Sequence, residues 1–240
     1  MNSIWILTKK ELSSFFDSLI AYMLLVLFLL MSGFFTWTYG NSVFTVKQAN
    51  LDVFFFIAYW TLFFFIPALT MRTISEERRN GTLEWLCTRP ISDIQIIIGK
   101  SLACFLLVMV ALLFTLPYYI TVAYLGPVDH GAILGGYKAL GLLSMAYIGI
   151  GIFASSCTAN QVVAFLSTLG IAFMFHFVFG FMANYMSANF IGKFLYALSS
   201  ETHFESMSRG VIDFEDIFYF LSVCAAGVFG AQLMLSKRLW

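Results

Sequence analysis

Adjacent carboxylates can pass a proton across a reaction centre, and Glu76-Glu77 is such a pair. Membrane-embedded prenyl-protein peptidases use paired glutamates with an arginine four residues after the second. Here that position is Gly81, and the histidine partners such a centre needs are missing. Gly99-Lys100-Ser101 ends like a phosphate-cradling loop, but that loop requires a glycine where Ile94 stands, so the match fails. Glu201, His203 and Glu205 are metal-donor types, yet alternate residues of a helix point to different faces and would not converge. His176 is the one ionisable group deep in an apolar run. Such a residue is a functional candidate by default. Without an acidic relay it reads as a neutral imidazole bonded to a neighbouring helix. Cys87, Cys104, Cys157 and Cys224 are scattered, which suggests free, mostly buried thiols and neither a disulfide framework nor a metal site. No set of residues supports catalysis by this chain, and none calls for a cofactor bound to it.

The charged residues that remain gather in one island. Arg72, Glu76, Glu77, Arg78, Arg79, Glu84, Arg89, Asp93 and Lys100 interrupt sequence that is otherwise apolar. Each charge at a membrane centre costs roughly 2.5–3.5 kcal/mol, so the island must project into water. Its local signals predict helix, break, short helix, break, helix. Thr73-x-x-Glu76 reads as a capping box and Asn80-Gly81 as a stop. Thr82 caps a short helix with Glu84 in its first turn, carrying Leu83, Trp85 and Leu86 and ending before Pro90. Ser92-x-x-Gln95 is a further box that opens the next apolar run.

The elements that hold this island are membrane spans. The chain has 240 residues, 60% hydrophobic and 11% charged, with mean hydropathy +0.88; soluble domains carry about 25% charged residues. Zero net charge implies no polyanion partner, nucleic acid included. Six spans are expected near Leu19–Thr38, Val53–Met71, Ser101–Leu125, Ala139–Cys157, Val162–Ala183 and Ile217–Ser236. The first is not followed by a signal-peptidase-like site. Pro67 and Pro117 should kink the second and third. Gly141, Ser144, Gly149, Gly151, Ala154 and Ser155 should bring the fourth into the bundle interior.

Residues 2–17 form an amphipathic segment, with Ile4, Trp5, Leu12, Phe15 and Phe16 on one face. It should lie in the membrane interface as an elbow. The link between spans four and five is short, near Thr158–Gln161. The segment from Tyr185 to Asp216 is long and too apolar for a solvated loop. It should form short helices that dip towards the membrane. Thr202-x-x-Glu205 reads as a capping box for a helix around His203–Arg209, Gly210 stops it, and Asp213 or Asp216 caps the last span. Lys9, Lys10, Arg72, Arg78, Arg79, Arg89, Lys100, Lys237 and Arg238 fall on one side. Lys47, Lys138, Lys193 and Arg209 fall on the other. Positive residues favour the cytoplasm, which puts both termini and the island there. No internal repeat is visible.

The stretch E-E-R-R-N-G-T-L-E-W-L-x-x-R-P-I-S-D resembles the cytoplasmic loop of ABC-2-type transporter permeases, through Glu76, Glu77, Gly81, Thr82, Leu83, Glu84, Leu86 and Pro90, followed by Gly99-Lys100. Trp85 stands where a leucine is common in that family. The resemblance extends to F-A-S-S-x-x-x-N-Q-x-x-A-F at Phe153–Phe165. It also takes in H-F-E-S-M-S-R-G-V-I-D at His203–Asp213, with Phe204, Glu205, Arg209 and Gly210 in an outer helix. That last stretch is most similar to the gliding-motility-associated permease subunits of Bacteroidota (Gld F type).

The resemblance implies a single all-α transmembrane domain over residues 1–240. It has six spans, an elbow, a coupling helix between spans two and three, and short outer helices between spans five and six. It implies that Glu76–Pro90 docks into a separate ATP-binding subunit, which holds the ATP and Mg. It further implies a second permease protomer, identical or homologous, and a companion membrane subunit with a large extracytoplasmic domain. The location it implies is a bacterial inner membrane. A secondary transporter or channel without an ATPase is the alternative. That alternative needs intramembrane polar residues, which this sequence mostly lacks. A structural membrane anchor would not need so patterned an island.

Overall fold

The computed structural model describes residues 3–39, 43–46, 48–82, 91–186 and 190–237. Among them every regular element is a helix and there is no strand. The helices are α1 (Ser3–Asp17), α2 (Leu19–Trp37), α3 (Val43–Val46), α4 (Asp52–Thr70), α5 (Ser75–Arg79), α6 (Asp93–Leu113) and α7 (Leu116–Leu125). Then come α8 (His130–Cys157), α9 (Gln161–Phe173), a π-helical turn (Met174–Val178), α10 (Phe179–Tyr185), α11 (Phe190–Leu198), α12 (Ser200–Ser208) and α13 (Phe214–Ser236). Six stretches of the described residues are long and apolar enough to cross a membrane: α2, α4 running into α5, α6 with α7, α8, α9 with α10, and α13.

Spans three and four start earlier than their hydropathy suggests. α6 opens at Asp93 because Gln95 accepts the Ser92 amide at 3.2 Å, the expected capping interaction, and the helix runs from the polar island into the apolar run. α8 opens at His130 behind Asp129, whose carboxylate accepts from Gly131 N at 2.8 Å and Ala132 N at 3.2 Å. Where a kink was expected at Pro117, span three breaks at Phe114–Thr115 and restarts with Pro117 in its first turn, where a missing N–H costs nothing. Pro67 sits inside α4, which continues to Thr70.

Three capping assignments are corrected. Thr73 turns back to the Thr70 carbonyl at 2.8 Å and does not cap α5. Thr202 lies inside α12, bonded to the Ser199 carbonyl at 2.9 Å, because that helix already starts at Ser200. Asp213 precedes α13 without a side-chain bond to it, and Asp216 binds His203. The two glycine stops hold: Gly81 and Gly210 have φ of +69° and +89°, values that suit a residue without Cβ. The region from Tyr185 onward forms the short helices α11 and α12.

α1 is helical over the expected stretch, and two of its residues pack into the protein. Leu7 and Thr8 are the buried residues, while Trp5 is exposed. The Thr8 hydroxyl donates to the Gly99 carbonyl at 3.1 Å, and Leu7 fills the space that a Cβ at Gly99 would need. This pulls α1 onto α6. Of the three described cysteines, Cys104 is buried and Cys157 is exposed; Cys87 lies outside the described residues.

α8 is the most buried span. A Cβ at Gly149 would meet the Cys224 carbonyl oxygen of α13 at 2.7 Å, and one at Gly227 would strike the Gly149 backbone. Such contact is how helices gain van der Waals attraction in lipid. Gly141 has no neighbour within 4 Å, so the small-residue stripe is not uniform in purpose. Gly149→Val should force α8 and α13 apart and cost about 1–3 kcal/mol or more. Gly141→Ala should be neutral or stabilising by up to about 1 kcal/mol. Thermal unfolding of the two variants in detergent checks the contrast.

Candidate functional site

The described part of the charged island is Arg72 to Thr82 together with Lys100. Three elements hold its base. α5 is only five residues long and cannot persist by its own hydrogen bonds. Its start is capped from another helix: Ser155 Oγ of α8 accepts the Ile74 amide at 3.1 Å and the Ser75 amide at 3.0 Å. Those are orphan donors of a helix N-terminus, and this is why Thr73 is free to turn away. In return, the Arg78 guanidinium donates to the Ser156 carbonyl at 2.8 Å, in the last turn of α8. Two helix ends thus satisfy each other's backbone groups.

The third hold is electrostatic. Lys100, on the second turn of α6, has a side chain only 1% exposed. Its ammonium lies 2.8 Å from Glu77 of α5 and 3.2 Å from Glu11 of α1. A buried ammonium must be neutralised where it sits, and two carboxylates from two helices do that. Beside it, the half-buried Arg72 and Glu76 pair at 3.0 Å.

From this base the chain turns outward. The Asn80 amide closes α5 on the Glu76 carbonyl at 2.9 Å, Gly81 takes its positive φ, and the Thr82 hydroxyl donates to the Glu77 carbonyl at 3.3 Å. Arg79, Asn80, Gly81 and Thr82 are exposed. Leu83, Glu84, Trp85, Leu86 and Pro90 lie outside the described residues. The structure therefore ties Glu77 to Lys100, Glu76 to Arg72 and Arg78 to Ser156, and leaves Arg79, Gly81 and Thr82 at the rim.

Glu11, Ser155 and Ser156 are members that residue patterns did not single out for this site. Glu11 lies 89 positions from Lys100, and no local spacing joins them. Ser155 stood out only as a small residue of span four, and Ser156 only through the resemblance carried by F-A-S-S.

At the opposite end of α8, His203 binds Asp216 at 2.6 Å and stacks on Tyr219 at 4.2 Å. Phe204 is buried, and Arg209 pairs with Glu205 at 2.9 Å on the surface. With His203 and Glu205 so engaged, Glu201, His203 and Glu205 do not converge. Gly210 passes against the start of α8 at Gly131–Ala132. Burial, with the Glu205 carboxylate next in order, raises the Glu201 carboxyl above its ordinary range.

His176 sits in the π-turn and is 1% exposed. It shares a 2.7 Å hydrogen bond with Tyr147 of α8 and stacks on Tyr59 of α4 at 3.9 Å. It is bonded to a neighbouring helix, as a lone intramembrane histidine should be.

Replacing Lys100 by Met should leave Glu11 and Glu77 facing each other without a cation, at a cost of about 3–5 kcal/mol. Adding Glu11→Gln and Glu77→Gln to that variant should recover much of the loss, because the repulsion goes with the charges. Unfolding midpoints of the single and triple variants, measured side by side, check the non-additivity.

A family model described as "ABC-2 family transporter protein" matches residues 5–205. No curated protein matches the chain. The matched region runs from α1 into α12 and includes the whole charged island with the helices that clamp it. The chain belongs to the ABC-2 transporter family, as a multi-pass membrane subunit that is not itself catalytic.

Proposed function

We propose that this permease subunit couples ATP hydrolysis in a separate ATP-binding subunit to export or mechanical work across a bacterial inner membrane, in a system linked to gliding motility. The observation that carries the reading is the exposed end of the island, Arg79–Thr82, mounted on a base that is tied at once to α1, α6 and α8. A push on that end is delivered to a base that contacts three helices. Leu83, Trp85 and Leu86 follow directly in sequence. Exposed to water they cost roughly 25 cal/mol per Å² of apolar surface, and a groove in the ATPase removes that cost. Trp85 has the character of an interface anchor. Glu84 and the Glu76–Arg79 cluster meet rim charges that select the partner more than they hold it.

In this reading ATP and Mg belong to the partner ATPase. A second permease protomer, identical or homologous, completes the path, and a companion subunit with a large extracytoplasmic domain joins the complex. The nine-to-four division of Lys and Arg puts both termini and the island in the cytoplasm.

Trp85→Ala with Glu84→Ala should leave the chain inserted in the membrane but separate it from its ATPase. Co-purification of the ATPase and ATP turnover of the remaining complex are the readouts. Unchanged binding and turnover would remove this stretch as the coupling element. Orientation is checked in a chain whose four cysteines are replaced by serine. A cysteine at Asn80 should react only with reagent on the cytoplasmic side, and one at Arg209 only from outside. Both positions are exposed, whereas Ser200 is buried and unsuited to labelling.

A further inference from the structure

A cavity of about 440 Å³ opens between the start of α4 and α12. Its wall is aromatic, with Phe55, Tyr59 and Trp60 from α4 and Phe204 from α12. Tyr59 and Phe204 lie 4.7 Å apart, centre to centre, and Tyr59 and Trp60 stand perpendicular at 6.3 Å. Three carboxylates line the same space, Asp52, Glu201 and Glu205. Arg209 is the one cation of the lining, and Glu205 already holds it at 2.9 Å. Two acids are thus left over beside a ring of π-faces. Among the described residues no three acidic, histidine or cysteine groups are placed to hold a metal ion, so the surplus charge does not read as a metal site.

Two further features bear on the occupant. Behind the aromatic wall, His176 is 1% exposed and its Nε2 has no hydrogen-bond partner, while its ring lies 3.9 Å from Tyr59 and 4.6 Å from Trp60. On the other side of Trp60 a second groove, of about 330 Å³, runs along α2 and α4 between Leu27, Met31, Phe35 and Phe64. Its lining is almost wholly apolar, and it starts one turn further along α4 than the carboxylates. Trp60 lines both spaces.

We propose that these two spaces, which share Trp60 as a wall, form a binding site for an ammonium-bearing amphiphile. The cationic head sits among Tyr59, Trp60, Phe204 and the free carboxylates Asp52 and Glu201, and the hydrocarbon chain lies in the groove past Trp60. Aromatic faces attract an ammonium group through their quadrupoles, most strongly when the site is partly desolvated. The spare carboxylates supply the counter-charge and reject an anionic head. The groove favours a lipid over a soluble amine.

The test uses the purified chain alone, without ATPase or nucleotide, so that its outcome is separate from that of the coupling experiments. Native mass spectrometry in an uncharged detergent compares three probes: dihexanoyl phosphatidylethanolamine, dihexanoyl phosphatidylglycerol and soluble phosphoethanolamine. The ethanolamine lipid should bind saturably and at least about tenfold more tightly than either of the others. Asp52→Asn with Glu201→Gln, and separately Trp60→Leu, should each weaken it about tenfold, with thermal unfolding reporting that each variant is folded. Equal binding of the glycerol lipid, equal binding of phosphoethanolamine, or binding unchanged in folded variants would overturn the proposal. The comparison of probes on the unaltered chain decides the matter even where a variant fails to fold.

Discussion

A single buried ammonium sets the geometry of the island's end of this molecule. Lys100 is almost wholly enclosed and reaches Glu77 at 2.8 Å and Glu11 at 3.2 Å. An unpaired charge there is costly, so neither carboxylate can leave without destabilising the ammonium. The consequence is mechanical. Glu11 belongs to the elbow, Glu77 to the base of the charged island and Lys100 to the span that follows it. Three elements that are remote in sequence are held in one arrangement by the same cation. The Thr8 bond to Gly99 keeps the elbow close enough for that contact to form.

α8 extends this arrangement through the bundle. At 28 residues it is about 42 Å long. One end exchanges backbone caps with α5 through Ser155 and Arg78. Its middle presses against α13 at Gly149 and Gly227, where no side chain can intervene. Its other end meets the turn after α12 at Gly210. A strut packed backbone to backbone transmits displacement, because close-packed interiors have low compressibility. The island and the short helices at the far end are therefore in contact with opposite ends of one helix.

Much of this was legible in the sequence, in a graded way. Spans and glycine stops follow from hydropathy and from φ, which are local properties. Gly81 and Gly210 are accordingly where they were expected. Capping boxes were less dependable, because the motif S/T-x-x-E/Q records only that a cap is chemically available. Ser92 and Gln95 formed one. Thr73 did not: the Glu76 amide bonds the Arg72 carbonyl, Ser155 from another helix holds the Ile74 and Ser75 amides, and Thr73 turns back to Thr70; Thr202 fell inside a helix that had already begun. The helices of spans three and four extend beyond their hydropathic cores: the first turn at Asp93 was announced by the Ser92 box, whereas that at His130 looks like loop to a hydropathy window, although Asp129 before Gly131 was a readable cap. The Glu11–Lys100–Glu77 contact was not legible at all. Each residue is ordinary where it stands, and only the packing of α1 on α6 brings them together.

The clamp makes α1 and α5 one body, and spin labels test that directly. Labels at Lys9 and Asn80, both exposed, report the separation of the elbow from the end of α5. The distance distribution is measured by pulsed electron paramagnetic resonance in the assembled complex, without nucleotide and with ATP held unhydrolysed. If Lys100 binds both elements into one unit, the distribution is the same in the two states, and it broadens in both when Lys100 is replaced by Met. A shift of several ångströms on ATP binding with Lys100 intact would show the elbow and the island moving separately, and would contradict the clamp.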